Sequence, residues 1–206
     1  HWPSGINQEF KGLEGGKIYE ITESANNSLA SVNDNKDKAL FKINTSLSGV
    51  RHKELNYDDF EHQPLLPNKL SQLGPGIAVG DIDNDGDEDF ILGGAKGSLT
   101  QILKNKGDGN FSKPERIEGS MNFEDMGLLL ADTEGDGDLD LIAVSGGVES
   151  SGALLQDRLY INDGNGNFLL APNSYLPVDT DSGGPIATAD IDRDGDEDVL
   201  VTTNGG

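Results

Sequence analysis

The sequence contains no cysteine, which removes disulfide scaffolds and thiolate metal sites from consideration. The redox compartment stays open, because a secreted protein need not carry disulfides. No apolar run approaches the roughly 18 residues that a membrane-spanning helix requires. Basic residues are scarce: 15 Lys and Arg face 37 Asp and Glu, for a net charge of −22. That balance argues against a nucleic-acid partner, whose affinity rests on Lys and Arg neutralising phosphates. Hydrophobic residues make up 34% and aromatics 6%, too lean for long buried helices. Methionine does not stand first; the chain begins at His1 with no leader, so a processed or excerpted chain is expected. What is plentiful is glycine, 28 residues, which with the lean core favours short strands and tight turns.

The acids are concentrated. Nearly half of the 37 fall in three nine-residue segments, 81–89, 132–140 and 190–198, each of the pattern D-x-D-x-D-G-x-x-D with one departure. The starts at Asp81, Asp132 and Asp190 are 51 and 58 residues apart, which marks an internal repeat. Short apolar runs precede the segments at 76–80, 128–131 and 186–189, and others follow at 90–93, 141–144 and 199–202. Their length and branched residues predict strands, and being apolar at successive positions they are expected to be buried on both faces. A third strand is predicted at 102–105 and at 159–162. Each is followed by a glycine-rich hairpin that leads into an aromatic, Phe111 or Phe168. Four strands in about 50 residues is the size of a propeller blade, so the fold class expected is all-β, with four-stranded antiparallel propeller blades. The expected division is an N-terminal remnant at 1–23, with a strand at 18–21, and a polar linker at 24–51. A proline-containing lead-in at 52–73 is followed by a first blade at 74–127, a second at 128–184 and part of a third at 185–206. Two and a half blades leave strand edges uncovered, which predicts a fragment of a larger propeller.

Carboxylates at alternate positions converge on one point only if the chain curls around it, and the glycine at position six permits that turn. Four carboxylates held so close repel one another unless a cation sits among them. Their number and hardness suit calcium, which takes six to eight oxygens. Magnesium prefers to keep several waters, and zinc calls for His or Cys, while His1, His52 and His62 all lie outside the segments. Positions one, three, five and nine supply side-chain oxygens: Asp81, Asp83, Asp85 and Asp89; Asp132, Glu134, Asp136 and Asp140; Asp190, Asp192, Asp194 and Asp198. Position seven, at Asp87, Asp138 and Asp196, supplies a backbone carbonyl. Glu134 is the departure, and its extra methylene pushes the oxygens outward, so its site is expected to be the weakest. An EF-hand needs a bidentate Glu at position twelve and flanking helices. Position twelve here is Leu92, Ala143 and Val201, all in predicted strands. An Asp-Gly turn that merely ends a strand would explain one such segment, but explains three in register poorly.

These segments and strands resemble FG-GAP and VCBS repeats, the calcium-loop blades also found in integrin α-subunit propellers. Residues 157–168, DRLYINDGNGNF, are similar to the third-strand signature of VCBS repeats. The stretch 63–75, QPLLPNKLSQLGP, is similar to the lead-in of bacterial proteins related to cartilage acidic protein 1, and residues 1–23 resemble the end of an ASPIC/UnbV module. The resemblance implies a secreted or cell-surface calcium-binding propeller of a bacterium, with about three calcium ions. Its implied function is binding of a protein or glycan or adhesion, with calcium structural and with neither nucleic acid nor a membrane span involved. The alternative is a scaffold fragment of a calcium-dependent enzyme such as a polysaccharide lyase. His52, His62 and Arg158 are the candidate bases for such chemistry, but they form no recognisable constellation. The reading taken is therefore non-catalytic. Trp2, Tyr57, Tyr160 and Tyr175 could stack on sugars, although one or two aromatics per blade more often fill a core.

Overall fold

The computed structural model describes residues 8–12, 20–22, 45–47 and 49–204. The chain divides into two units, 1–44 and 45–206. In the first, the described stretches carry no regular structure; the strand expected at 18–21 lies half outside them, and Glu20 and Ile21 are irregular. The rest of the N-terminal remnant and most of the linker also lie outside the described residues. Everything below concerns the second unit.

That unit is nearly all β. After one helical turn, α1 (Asp59–His62), come β1 (Ile77–Gly80), β2 (Asp89–Leu92), β3 (Gln101–Leu103) and β4 (Glu115–Arg116), hydrogen-bonded in that order as an antiparallel sheet. The second sheet repeats the plan with β5 (Asp125–Ala131), β6 (Asp140–Ser145), β7 (Arg158–Asn162) and β8 (Phe168–Leu170). β9 (Ser182–Ala189) and β10 (Asp198–Asn204) form a two-stranded third. The register repeats as well: Gly80 pairs with Asp89, Ala131 with Asp140, and Ala189 with Asp198. Each acidic segment is therefore the loop of a hairpin closed at the same place. Sheets of four, four and two strands in sequential order are propeller-like blades, as expected.

The inner strands β1, β5 and β9 pack side by side, and the backbones come very close. A Cβ at Gly127 would lie 2.6 Å from the Gly184 carbonyl oxygen, and one at Gly76 would lie 3.0 Å from the backbone of Gly127. Small residues at the head of each inner strand thus set the spacing between sheets. The main core fills the gap between the first two sheets, with Ile82, Ile91, Ile102, Leu128, Leu141 and Tyr160 at its centre. A second cluster, Ile142, Leu159 and Ala171, lies on the far face of the second sheet, beside Ile186 of β9.

Burial on both faces holds for β6, buried at all six positions, because it has a sheet on either side. It fails for β1, for β10 and for the 186–189 run of β9, where Ala187 and Ala189 are exposed. Ile77 and Val79 are 54% and 55% exposed, as are Val199 and Leu200 at 46% and 59%. The described residues place a sheet against only one face of each of these strands. A run of apolar residues reports the environment of a blade between neighbours, not of each blade alike. Among the described residues no helix is long and apolar enough to cross a membrane.

Candidate metal centre

The three hairpin loops share one backbone geometry. The side chain of the first aspartate turns back and accepts hydrogen bonds from the loop's own amides. Asp81 takes them from Asp85 (3.2 Å) and Gly86 (2.9 Å), and Asp132 from Gly135 (2.8 Å), Asp136 (3.2 Å) and Gly137 (3.0 Å). Asp190 takes one from Gly195 at 3.3 Å. The fifth-position carboxylate accepts from the seventh-position amide in every loop: Asp85 from Asp87 at 2.9 Å, Asp136 from Asp138 at 3.0 Å, and Asp194 from Asp196 at 3.0 Å. Such side-chain to backbone bonds curl the chain into a nest of oxygens.

The glycine at position six is left-handed in all three, with φ of 91°, 95° and 101° at Gly86, Gly137 and Gly195. Position four is left-handed too, at Asn84 (φ 59°), Gly135 (φ 73°) and Arg193 (φ 66°). Asn and Gly adopt this region readily, and a long side chain does so at a cost of about 1 kcal/mol. Arg193→Asn is therefore expected to stabilise the protein by about 0.5–1 kcal/mol. Urea unfolding at high salt, where the lost positive charge is screened, reads this directly. A destabilised variant would mean that the arginine makes a contact outweighing its backbone strain.

The ninth-position aspartate closes each loop by accepting from the second-position amide: Asp89 from Ile82 (3.1 Å), Asp140 from Thr133 (3.1 Å) and Asp198 from Ile191 (3.0 Å). In the first two loops its other oxygen accepts from an asparagine amide at or just beyond the end of the third strand, Asn105 at 2.7 Å and Asn162 at 2.9 Å. Asp89 and Asp140 are accordingly buried, whereas Asp198 is exposed. Burial pushes the Asp89 carboxyl up, against the pull of the Asn105 and Ile82 amides, and the Asp83 and Asp85 carboxylates add to the rise. A cation among these carboxylates would reverse that effect.

Among the described residues, two groups of three acidic side chains bring a carboxylate oxygen each within 4.8 Å of one another: Asp81, Asp83 and Asp89, and Asp190, Asp192 and Asp194. Oδ1 of Asp83 is buried and has no hydrogen-bond partner. Lys104 reaches the other oxygen of the same carboxylate at 3.6 Å and partly offsets the charge. In the second loop Asp132, Glu134 and Asp136 do not form such a group. The exposed Glu134 carboxyl is raised by partial desolvation and by its neighbours Asp136, Asp140 and Asp132. The residues present fit a hard cation: all the donors are oxygens, one of them is buried without a partner, and no His approaches. Position twelve falls in β2, β6 and β10, which leaves no EF-hand.

Asn105 and Asn162 were not singled out from the sequence, although Asn162 ends β7 and Asn105 stands in the equivalent place, two residues beyond β3. Asn162 also ties the blades together. Its side-chain amide donates to the carbonyls of Ile82 in the first loop (2.8 Å) and Leu139 in the second (3.1 Å), and its side-chain oxygen accepts from Gly166. Asn84 crosses the same gap, donating to Asp138 at 2.7 Å. The first two loops therefore sit in one hydrogen-bonded frame.

The residues weighed as catalytic bases are occupied elsewhere. Arg158 is buried, paired with Asp125 at 2.5 Å, bonded to the Tyr160 hydroxyl and the Ser145 hydroxyl, and stacked 4.1 Å from the Phe123 ring centre. His52 bonds Glu54 at 2.6 Å and the Gly93 carbonyl at 3.1 Å, and His62 stacks on Tyr57. Of the aromatics, Tyr160 belongs to the core and Tyr175 is 62% exposed.

A family profile described as the FG-GAP-like repeat matches residues 81–143 and 144–201. The first match begins on Asp81 and spans the first two loops, and the second contains the third loop. Comparison with curated proteins gives no match. The two matches cover more than half of the 206 residues and between them contain all three hairpin loops, so the chain belongs to the FG-GAP-like repeat family.

Proposed function

We propose that this chain is a non-catalytic, calcium-stabilised binding module of an extracellular or cell-surface protein, each of its three loops holding one calcium ion. The observation that carries the metal reading is the first loop. Asp81, Asp83 and Asp89 converge within 4.8 Å, and a buried Asp83 oxygen among them lacks any partner. An unpartnered buried carboxylate oxygen is costly, and a cation is what satisfies it. Four carboxylates and one carbonyl per loop leave few coordination positions for water, and the hairpin's evident task is to hold a tight turn. Calcium is then structural, since metal-assisted chemistry needs an open coordination face beside a base. FG-GAP repeats are modules often involved in binding, and the ligand class proposed is a glycan or protein met at the cell surface. The bacterial cartilage acidic protein 1-like grouping and the ASPIC/UnbV remnant at 1–23 remain part of this reading through the sequence resemblance alone.

Calcium titration by calorimetry tests it. Three equivalents are expected, the second loop weakest, because Glu134 replaces the third-position aspartate and its neighbours form no tight group. Glu134→Asp should tighten that site by about tenfold, a gain of about 1.4 kcal/mol. Weaker binding in the variant would show that the third-position side chain is not a ligand, and no calcium uptake at all would remove the reading.

A further inference from the structure

The end of the first blade opposite its acidic loop carries a different chemistry. The connection from β2 to β3, residues 93–100, lies at that end, as does Arg116, which pairs with Gln101 across β3 and β4. Residues directly opposite in an antiparallel pair project to the same face, so Arg116 and Gln101 share one. Residues 51–53 are tethered over this face: Gln101 Nε2 donates to the Arg51 carbonyl at 3.2 Å, and the Ser98 hydroxyl donates to the Lys53 carbonyl at 3.0 Å. The result is a cleft of about 340 Å³ lined by Arg51, Lys53, Arg116, Ser98, Gln101 and Met121 among others. None of its lining residues is acidic, in a chain with 37 acids and 15 bases. The three cationic side chains pair with no described residue, although carboxylates are abundant across the surface.

We propose that this cleft binds the carboxylate or sulfate group of an acidic saccharide. Its volume is at the lower end of the range for small-ligand pockets, enough for one or two sugar rings. Two arginines offer planar forks that match an oxyanion, and the lysine adds a point charge. Met121, 49% exposed on the rim, gives an apolar wall for a ring face, while Ser98 and Gln101 place polar atoms beside ring hydroxyls. A long polyanion such as a nucleic acid suits the site badly. Three cations neutralise few phosphates, and the net charge of −22 repels the remainder. The ligand is then a short acidic glycan or the acidic terminus of a longer one. This assignment rests on the binding-module reading and names its ligand class.

The test is titration of the calcium-loaded chain at low salt with trigalacturonate, with a sulfated galactotriose and with neutral galactotriose, followed by calorimetry and amide chemical shifts. Either charged sugar should bind and shift residues 97–101 and 116–121, the stronger of the two telling carboxylate from sulfate, while the neutral sugar should bind at least tenfold more weakly. Arg51→Gln with Arg116→Gln should weaken the charged sugar by tenfold or more, since bonds to charged groups are involved, without moving the unfolding midpoint of these exposed positions. Shifts confined to the acidic loops would assign the carboxylate to bound calcium and overturn the proposal. So would unweakened binding by the double variant, or no binding of either charged sugar. On a glycan and protein array, binding by the double variant equal to the native chain's would keep the module while removing the cleft. An array with no bound ligand for the native chain would remove the module itself.

Discussion

Stripping calcium with excess chelator should lower the unfolding midpoint by about 15–30 °C. A ligand that binds only the native state stabilises it by RT ln(1 + [L]/Kd), about 2.7 kcal/mol per site at a hundredfold excess over Kd. That excess corresponds to about 1 mM free calcium in the melt over loops with a Kd of about 10 µM, the weak end of the range for calcium-sensor loops. Three loops together then supply about 8 kcal/mol, comparable with the whole stability of an ordinary domain, and each kcal/mol moves the midpoint of a chain this size by about 2–4 °C. The loop geometry is what motivates this expectation. Asp81 and Asp132 already turn their oxygens inward on backbone amides, and Asp89 and Asp140 are buried, so without a cation these like charges are held together by the fold at its own expense. Calorimetric melts with calcium, with magnesium and with chelator separate the cases. A midpoint that moves equally for magnesium would make the effect one of general screening, and an unmoved midpoint would remove calcium from the stability of this fold.

The loops were legible in the sequence because each places its acids and turn glycine within nine residues. Hairpins and blades followed from short branched runs on either side. The left-handed fourth position could have been read from Asn84 and Gly135, two residues suited to that region, but Arg193 at the third copy concealed the rule. Asn105 and Asn162 repeat at or just beyond the end of the third strand, a visible signal whose purpose depends on contacts formed some sixteen to eighty residues away. Such contacts leave no local trace. The same holds for Arg158, which a sequence presents as a possible base and the fold buries against Asp125, 33 residues distant. Exposure of Ile77 and Val79 escaped for a related reason. Apolar runs look alike whether a second sheet covers them or not.

Glu124→Gln should stabilise the protein by about 2 kcal/mol at pH 8 and have almost no effect at pH 4. Glu124 precedes β5 and is 5% exposed, packed against Gly147, where a Cβ would come 2.1 Å from Oε2. That oxygen has no hydrogen-bond partner. Burial first, then the Glu54 and Glu149 carboxylates, push its pKa from 4.5 to about 7, against an opposing pull from Lys96. Glu149 is itself raised by burial, and the Lys96 ammonium donates to the Glu149 carbonyl. His52 faces the cluster from the lead-in, bonded to Glu54. Because the folded pKa lies above the unfolded one, the native chain keeps a proton that the unfolded chain has released between pH 4.5 and 7. Stability from this group is therefore complete below about pH 4.5, falls as pH rises through the window, and stays low above about 7. A neutral amide of the same shape reproduces the protonated acid and escapes the penalty of the ionised one. Cations held by the acidic loops would respond to pH in the opposite sense, being lost as the carboxylates protonate, but equally in both proteins. The difference between variant and native stability at saturating calcium isolates Glu124. Urea unfolding at the two pH values decides the matter. An equal difference at both would mean that Glu124 does not titrate in this window, and a loss at pH 8 would mean that its carboxylate is held charged by a partner such as Lys96.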